Sequence, residues 1–184
     1  VLVLRSDPDN NRQLSYLKWG LIPHWAKDAS IGNHMVNARS ETVEEKPSFR
    51  SAFKYRRCII PASGFYEWQK VGNKKQPYYI TLKDASPMLF AGLWDRWVSP
   101  DGIVVESCTI LTTTSNDLVT PLHDRMPVIL SMNNIDRWLD SRLTDPFELK
   151  SLLKPYQSES MQLSPVSNTV NSPRNDDARC ITPM

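Results

Sequence analysis

No stretch of about 18 apolar residues occurs in this sequence, so no membrane-spanning helix is predicted. A basic segment followed by an apolar stretch and a small-residue cleavage site is also missing, and no secretory signal is read. Both absences predict a soluble, unexported protein. Cysteine is scarce. Cys58, Cys108 and Cys180 are odd in number, widely spaced and without CxxC pairing, which argues against a zinc site or a disulfide framework and fits a reducing cytoplasm. Charge of one sign is not in excess: 22 Lys and Arg face 20 Asp and Glu, a formal +2, so any nucleic-acid surface has to be a local groove. Internal repeats and low-complexity segments are absent. No initiator Met stands first, and Val1-Leu2-Val3-Leu4-Arg5 reads as the middle of a strand, which predicts a natural N-terminus further upstream.

What is present suits one folded domain. A chain of 184 residues can bury a substantial core, and 40% hydrophobic with 23% charged residues is a globular composition, so a single domain over residues 1–184 is expected. Short β-branched and aromatic runs predict strands at residues 1–4, 16–22, 58–61, 65–69, 78–82, 89–97, 104–113 and 128–130. Turn-forming clusters separate them, at 7–11, 71–75 and 99–102, the last two as hairpin connections. Helical pattern is confined to 46–55, to 133–139 with Ser131 or Asn133 as cap, and to a segment that starts at Pro146 and stops at Pro155. Many strands and few helices predict an α+β fold with a mainly antiparallel, curled or barrel-like β core and a few peripheral helices. Composition alone makes 162–184 a disordered end.

Four segments could carry chemistry. Among three histidines, His123 stands between Pro121 and Pro127 with Asp124 and Arg125, a stiff loop of polar groups. Its imidazole, with an unperturbed pKa of about 6.5, can shuttle protons or stabilise an anion; the alternative is a loop histidine satisfied by Asp124. Glu67 sits in the aromatic stretch Gly64-Phe65-Tyr66-Glu67-Trp68, with Phe65 and Glu67 on one strand face. Turned inward, its carboxyl pKa rises and it becomes a general acid or base; turned outward, it is a solvated Glu. Asn37 and Arg39 share a face in a strand-like segment and offer an amide and a phosphate-matched fork; the alternative is a strand end before a helix capped by Ser40. Trp19 and Trp25 fall within one stretch interrupted by Gly20 and Pro23, where aromatics either stack on bases or pack in the core. Trp94, Trp97 and Trp138 are assigned to packing. Cys58 and Cys108, in β-branched strands, are read as buried and inert.

Taken in order and spacing, Trp19-Gly20-Leu21-Ile22-Pro23-His24-Trp25, Asn37-Ala38-Arg39-Ser40-Glu41-Thr42, Gly64-Phe65-Tyr66-Glu67-Trp68 and Pro121-Leu122-His123-Asp124-Arg125-Met126-Pro127 resemble the SRAP family, the abasic-site sensors of single-stranded DNA. Residues 165–171 resemble the family's closing strand and loop, which implies an ordered tail and a likeness over essentially the whole chain. In that family an N-terminal Cys, exposed by self-removal of the initiator Met, attacks the aldehyde of an abasic site and forms a thiazolidine DNA-protein crosslink. The family's Met-Cys-Gly-Arg start is absent from this sequence. The resemblance implies catalytic roles for Glu67 (protons), His123 (opening of the sugar) and Asn37 (orienting the reacting terminus), and phosphate contacts from Arg39 and Arg125. It implies Trp19 along the DNA groove, no cofactor and no metal. It further implies a monomer whose partner is single-stranded DNA with abasic sites, at a bacterial nucleoid or in a eukaryotic nucleus. Two other classes stay open: a non-covalent single-stranded DNA-binding module, and a peptidase or hydrolase that uses Glu67 and His123.

Overall fold

The computed structural model describes residues 1–7 and 9–184; Pro8, in the turn expected at 7–11, lies outside the described residues. Strands β1 (Leu2–Ser6), β2 (Arg12–Tyr16), β3 (Lys18–Trp19) and β4 (Asn37–Arg39) precede helix α1 (Arg50–Tyr55). Then follow β5 (Arg57–Ala62), β6 (Phe65–Val71), β7 (Lys74–Leu82), β8 (Met88–Val98), β9 (Val104–Thr114) and β10 (Arg125–Pro127). Helices α2 (Ile135–Leu139) and α3 (Pro146–Ser151) and strand β11 (Met161–Pro165) complete the set, with short 3₁₀ turns between. The class is α+β, as expected, with a half-barrel mixed sheet. Contacts divide the chain into two compact units: residues 1–61, 89–113 and 127–155 form the first, and 62–88, 114–126 and 156–184 the second.

In the first unit the sheet runs β9-β8-β5-β1-β2. β1 pairs antiparallel with β2 and β5, and β8 with β9, whereas β3 and β4 both lie parallel to β9. Its core is Leu21, Val43, Phe53, Ile59, Leu93, Leu111, Trp138 and Leu149 with their neighbours, all nearly inaccessible. The alternation that predicted strands here places Val3 and Arg5 of β1 inward. Arg5 is buried because its charge is matched: its guanidinium makes two hydrogen bonds with Glu106, at 2.9 and 2.8 Å, and lies 4.2 Å from the centre of the Trp94 ring. Arg57 solves a different problem. The carbonyls at a helix C-terminus have no partner inside the helix. The Arg57 guanidinium donates to Phe53 and Lys54 at the end of α1, and to Trp138, Asp140 and Leu143 at and beyond the end of α2. Burial lowers its pKa to about 10, with Asp140 opposing the shift.

The second unit holds a three-stranded sheet in the order β11-β7-β6, both pairings antiparallel. Ile80, Leu82, Met88, Val119, Met126, Met161 and Val166 are buried in it. Here the composition of the tail misled: β11 pairs with β7 from Met161↔Leu82 to Pro165↔Tyr78, and Val166 bridges Pro183, so 162–184 is ordered as the family resemblance implied.

Several boundaries moved. Arg12–Tyr16 is an outermost strand that the run at 16–22 did not include; its side chains are mostly exposed, so no apolar alternation marks it. Residues 128–130 form no regular strand but still bond β8 and β9 through the Val128 and Leu130 amides and the Val128 carbonyl. Helix α3 ends at Ser151 instead of reaching Pro155, and its Asp145 cap accepts from the Glu148 amide. Neither Ser131 nor Asn133 caps the helix at 133–139 through its side chain; a 3₁₀ turn, Met132–Asn134, leads into α2 instead.

Candidate functional site

Glu67 lies on β6, the edge strand of the small sheet. Antiparallel register sets it opposite Tyr78, and strand alternation gives its face Phe65 and Gln69, with Ile80 and Gln76 across from them. Ile80 is fully buried, so one end of that face is core and the other is wet, with Glu67 half-buried between. Gly64 lets the strand start there: a Cβ on it would stand 2.3 Å from the Ile80 carbonyl oxygen. Burial pushes the Glu67 carboxyl above its ordinary value; the His123 imidazole opposes the shift, and the Asp124 carboxylate adds to it. The inward alternative read from the sequence is therefore the observed one, and His123 is near enough to act on the carboxylate.

His123 is exposed but its backbone is fixed. Residues 115–124 fold into consecutive turns in which the His123 amide donates to Val119 and the Ser115 amide to Asp124. Asn116 is the hub: its side-chain amide donates to the Tyr156 carbonyl at 2.7 Å and to Met161 Sδ at 3.2 Å, while its Oδ1 accepts the Val119 amide at 3.1 Å. Both side-chain N–H groups and one lone pair of the oxygen are thereby used. The Arg125 amide lies 3.0 Å from His123 Nδ1 and the Arg125 carbonyl 3.3 Å from the same nitrogen, so the loop backbone pins this edge of the ring. Asp124 Oδ1 lies 3.2 Å from the same nitrogen. Asn116 was missed by the sequence reading; the signal was an Asn opening a turn-rich segment. Asn116→Ala should cost about 1–3 kcal/mol, because it strands the Tyr156 carbonyl, whereas the Val119 amide keeps the Asn116 main-chain carbonyl at 3.1 Å. Urea unfolding measures the loss, and NMR should show the His123 amide broadened.

Asn37, Arg39 and Trp19 belong to the first unit. β4 is held parallel to β9 with Asn37↔Ile110 and Arg39↔Thr112, and the buried Ala38 between them turns both polar side chains to the other, exposed face. The shared face expected of them is thus present. Among the described residues Arg39 has no carboxylate partner. Trp19, 49% exposed, is anchored by its indole N–H to the Val36 carbonyl at 2.8 Å, one residue before Asn37. The segment at 19–25 leaves strand geometry because Gly20, at φ +109°, passes so close to Gly32 that a Cβ would stand 2.5 Å from its carbonyl oxygen. The segment then docks through the Ile22 amide on Ser107 Oγ and through His24, whose amide and Nδ1 both lie 3.1 Å from Oδ2 of the buried Asp95. Trp25 is also half exposed, Trp97 and Trp138 are buried, and Trp94 is covered by Arg5. Cys58 and Cys108 are buried with pKa values raised by burial, Cys108 to about 11. Among the described residues no group of three His, Cys, Asp or Glu could hold a metal ion. Arg125, half-buried, stands with Glu67 and His123 in the second unit.

A half-buried carboxyl of raised pKa with a histidine near enough to act on it is equipment for moving protons. The family model described as SOS response associated peptidase (SRAP) matches residues 1–173. The chain belongs to the SRAP family. The SRAP chain is 49% identical over 182 residues to the abasic site processing protein YoqW of Bacillus subtilis, covering 98% of this chain and 81% of that one. It is 34% identical over 201 residues to the abasic site processing protein HMCES of Xenopus tropicalis, covering 96% of this chain and 59% of that one. A crystal structure of a protein from Bacteroides thetaiotaomicron superposes on the SRAP fold with a TM-score of 0.89 at 33% identity, over 100% of this chain and 80% of that one. Among the described residues, no helix is long and apolar enough to cross a membrane.

Proposed function

We propose that this protein processes abasic sites in single-stranded DNA, and that a form carrying Met-Cys ahead of the present sequence crosslinks to them covalently. The observation that carries the reading is the Glu67–His123 pair: a carboxyl whose pKa burial raises, acted on by an imidazole whose Nδ1 is occupied by the Arg125 amide. The family membership and the names of the relatives point to the same substrate.

The chemistry balances with these residues alone. An abasic deoxyribose is mostly a closed ring, and His123 assists the opening that exposes the C1 aldehyde. The terminal amine of the Cys adds to that carbon. Glu67 in its acid form delivers the proton with which the carbinolamine oxygen leaves as water, giving an imine. The thiol adds to the imine carbon, its proton passes to the nitrogen through the Glu67 carboxylate, and the thiazolidine closes with net loss of one water. Amine and thiol, with ordinary pKa values of about 7.7–8.0 and about 8.5, are both partly active at neutral pH. Asn37 orients the terminus, Arg39 and Arg125 take flanking phosphates, and Trp19 lines the groove. Glu67 also serves self-removal of the initiator Met. Single-stranded DNA suits the site, since no second strand has to be displaced.

The test is to establish the reading frame upstream of Val1, express the protein with that start, and weigh it after incubation with abasic and intact oligonucleotides. A product equal to protein plus abasic strand minus one water, absent with the intact strand, is expected. Binding without any denaturant-stable product supports a non-covalent module instead, and turnover of an unrelated peptide supports a peptidase.

A further inference from the structure

Glu67 uses one face of β6, and the other face carries a second set of groups. Alternation places Tyr66, Trp68 and Lys70 together, and the register sets Tyr79, Pro77 and Lys75 opposite them. The face therefore runs from aromatic pairs to a pair of ammonium groups at the tip of the hairpin. Tyr66 packs on Tyr79 with ring centres 5.0 Å apart and reaches Trp68 at 6.3 Å. The Trp68 indole N–H is held by Asn171 Oδ1 at 2.8 Å, which fixes the ring. Trp68 and Lys75, with Val170, Asn171 and Pro173, line a cleft of about 430 Å³.

The lysine pair is the informative part. Directly opposed residues of an antiparallel pair have their Cβ atoms about 4.5–5.5 Å apart, and like charges there destabilise the hairpin. Among the described residues neither Lys70 nor Lys75 has a carboxylate partner. Two exposed ammonium groups side by side, next to an immobilised indole and an open cleft, suit an anion attached to a flat ring. Because β6 is an edge strand of its sheet, a strand of nucleic acid can pass from the Glu67 face around the edge to this one.

We propose that the Trp68, Lys70, Lys75 and Asn171 face is a subsite for single-stranded DNA flanking the lesion, with a phosphate on the two lysines and a base in the cleft against the indole. This rests on the reading that the Glu67 face handles single-stranded DNA. The subsite adds length-dependent affinity that does not depend on the lesion.

The experiment measures binding of the whole chain by fluorescence anisotropy to intact and abasic oligonucleotides, single-stranded and duplex, over a salt series. Lys70→Ala/Lys75→Ala should weaken binding to a long intact single strand on the order of tenfold. It should also flatten the slope of log K against log salt by about 0.7–1.4, as expected for one or two single-strand phosphates. The ratio of abasic to intact affinity should stay unchanged, and thermal melting should hold or rise as the lysine repulsion is removed. Lys83→Ala, which removes the same charge just beyond the other end of β7, should change binding less than twofold. An unchanged slope, an equal loss in Lys83→Ala, or a loss seen on duplex and not on single strand overturns the subsite. A parent protein that binds intact strands but shows no abasic preference overturns the lesion-specific function and leaves the subsite to be judged on the intact strand. A parent protein that binds neither overturns both.

Discussion

Glu67→Gln should slow crosslink formation by about 10²–10⁴-fold in the form that carries the N-terminal Cys, and it should leave the folded protein more stable at pH 7. The first effect follows from the role: the amide keeps the shape but can neither deliver the proton that releases water from the carbinolamine nor return it. The second follows from linkage. Burial raises the Glu67 pKa above the ordinary 4.5, so between those two values the folded state binds more proton than the unfolded one. Stability therefore falls as pH rises through that window, and above it the buried carboxylate is a net cost. Gln carries no such penalty. Single-turnover rates on denaturing gels check the chemistry, and melting at pH 4 and pH 7 checks the sign: the stability advantage of the variant should be larger at pH 7. A variant that melts lower at pH 7 than at pH 4 relative to the parent refutes the burial argument.

The second large effect is structural. Arg57→Met should cost about 3–5 kcal/mol, a large part of the roughly 5–15 kcal/mol available to a domain. The methionine fills much of the volume but takes the guanidinium donors from five carbonyls, those of Phe53, Lys54, Trp138, Asp140 and Leu143, of which Asp140 keeps the Leu143 amide. It also removes the cation that lies 5.6 Å from the centre of the Trp138 ring. Arg57→Lys should recover only part of the loss, because a single ammonium cannot spread its donors over two helix ends as the planar guanidinium does. Urea midpoints for the three proteins test this, and equal midpoints for Met and Arg would refute it.

The sequence made the candidate side chains more legible than the scaffold. Glu67 announced itself as a charge inside an aromatic strand, and His123 as a histidine between prolines; both signals are local, and both residues lie together in the second unit. Asn37 and Arg39 were legible as a two-residue period, and β4 bears that out. The hairpins at 71–75 and 99–102 were legible because turn chemistry is local too. What stayed hidden depends on partners distant in the chain. β11 reads as a polar, proline-bearing tail and becomes a strand because β7 offers it an edge. Arg57 reads as the start of an apolar strand, and nothing nearby reveals that residues 138–143 bring it three of its five acceptors. Asn116 looks like an ordinary turn former until Tyr156 and Met161 arrive to use its amide. The family resemblance corrected the tail, since it encodes such distant partnerships implicitly.

The parallel seating of β3 and β4 on β9 has a consequence for how the chain is made. Residues 18–19 and 37–39 find their strand partners at 107–108 and 110–112. During synthesis the segment bearing Trp19 and Trp25 therefore leaves the ribosome long before the strand that will hold it, and until then it has nearer partners such as Val36 for the Trp19 indole and Met35 for the Leu21 amide. Such late, non-local closure is slow and leaves apolar surface open to collision with other nascent chains. Yield in cells should then depend on holding chaperones and growth temperature more than on the strength of the finished fold.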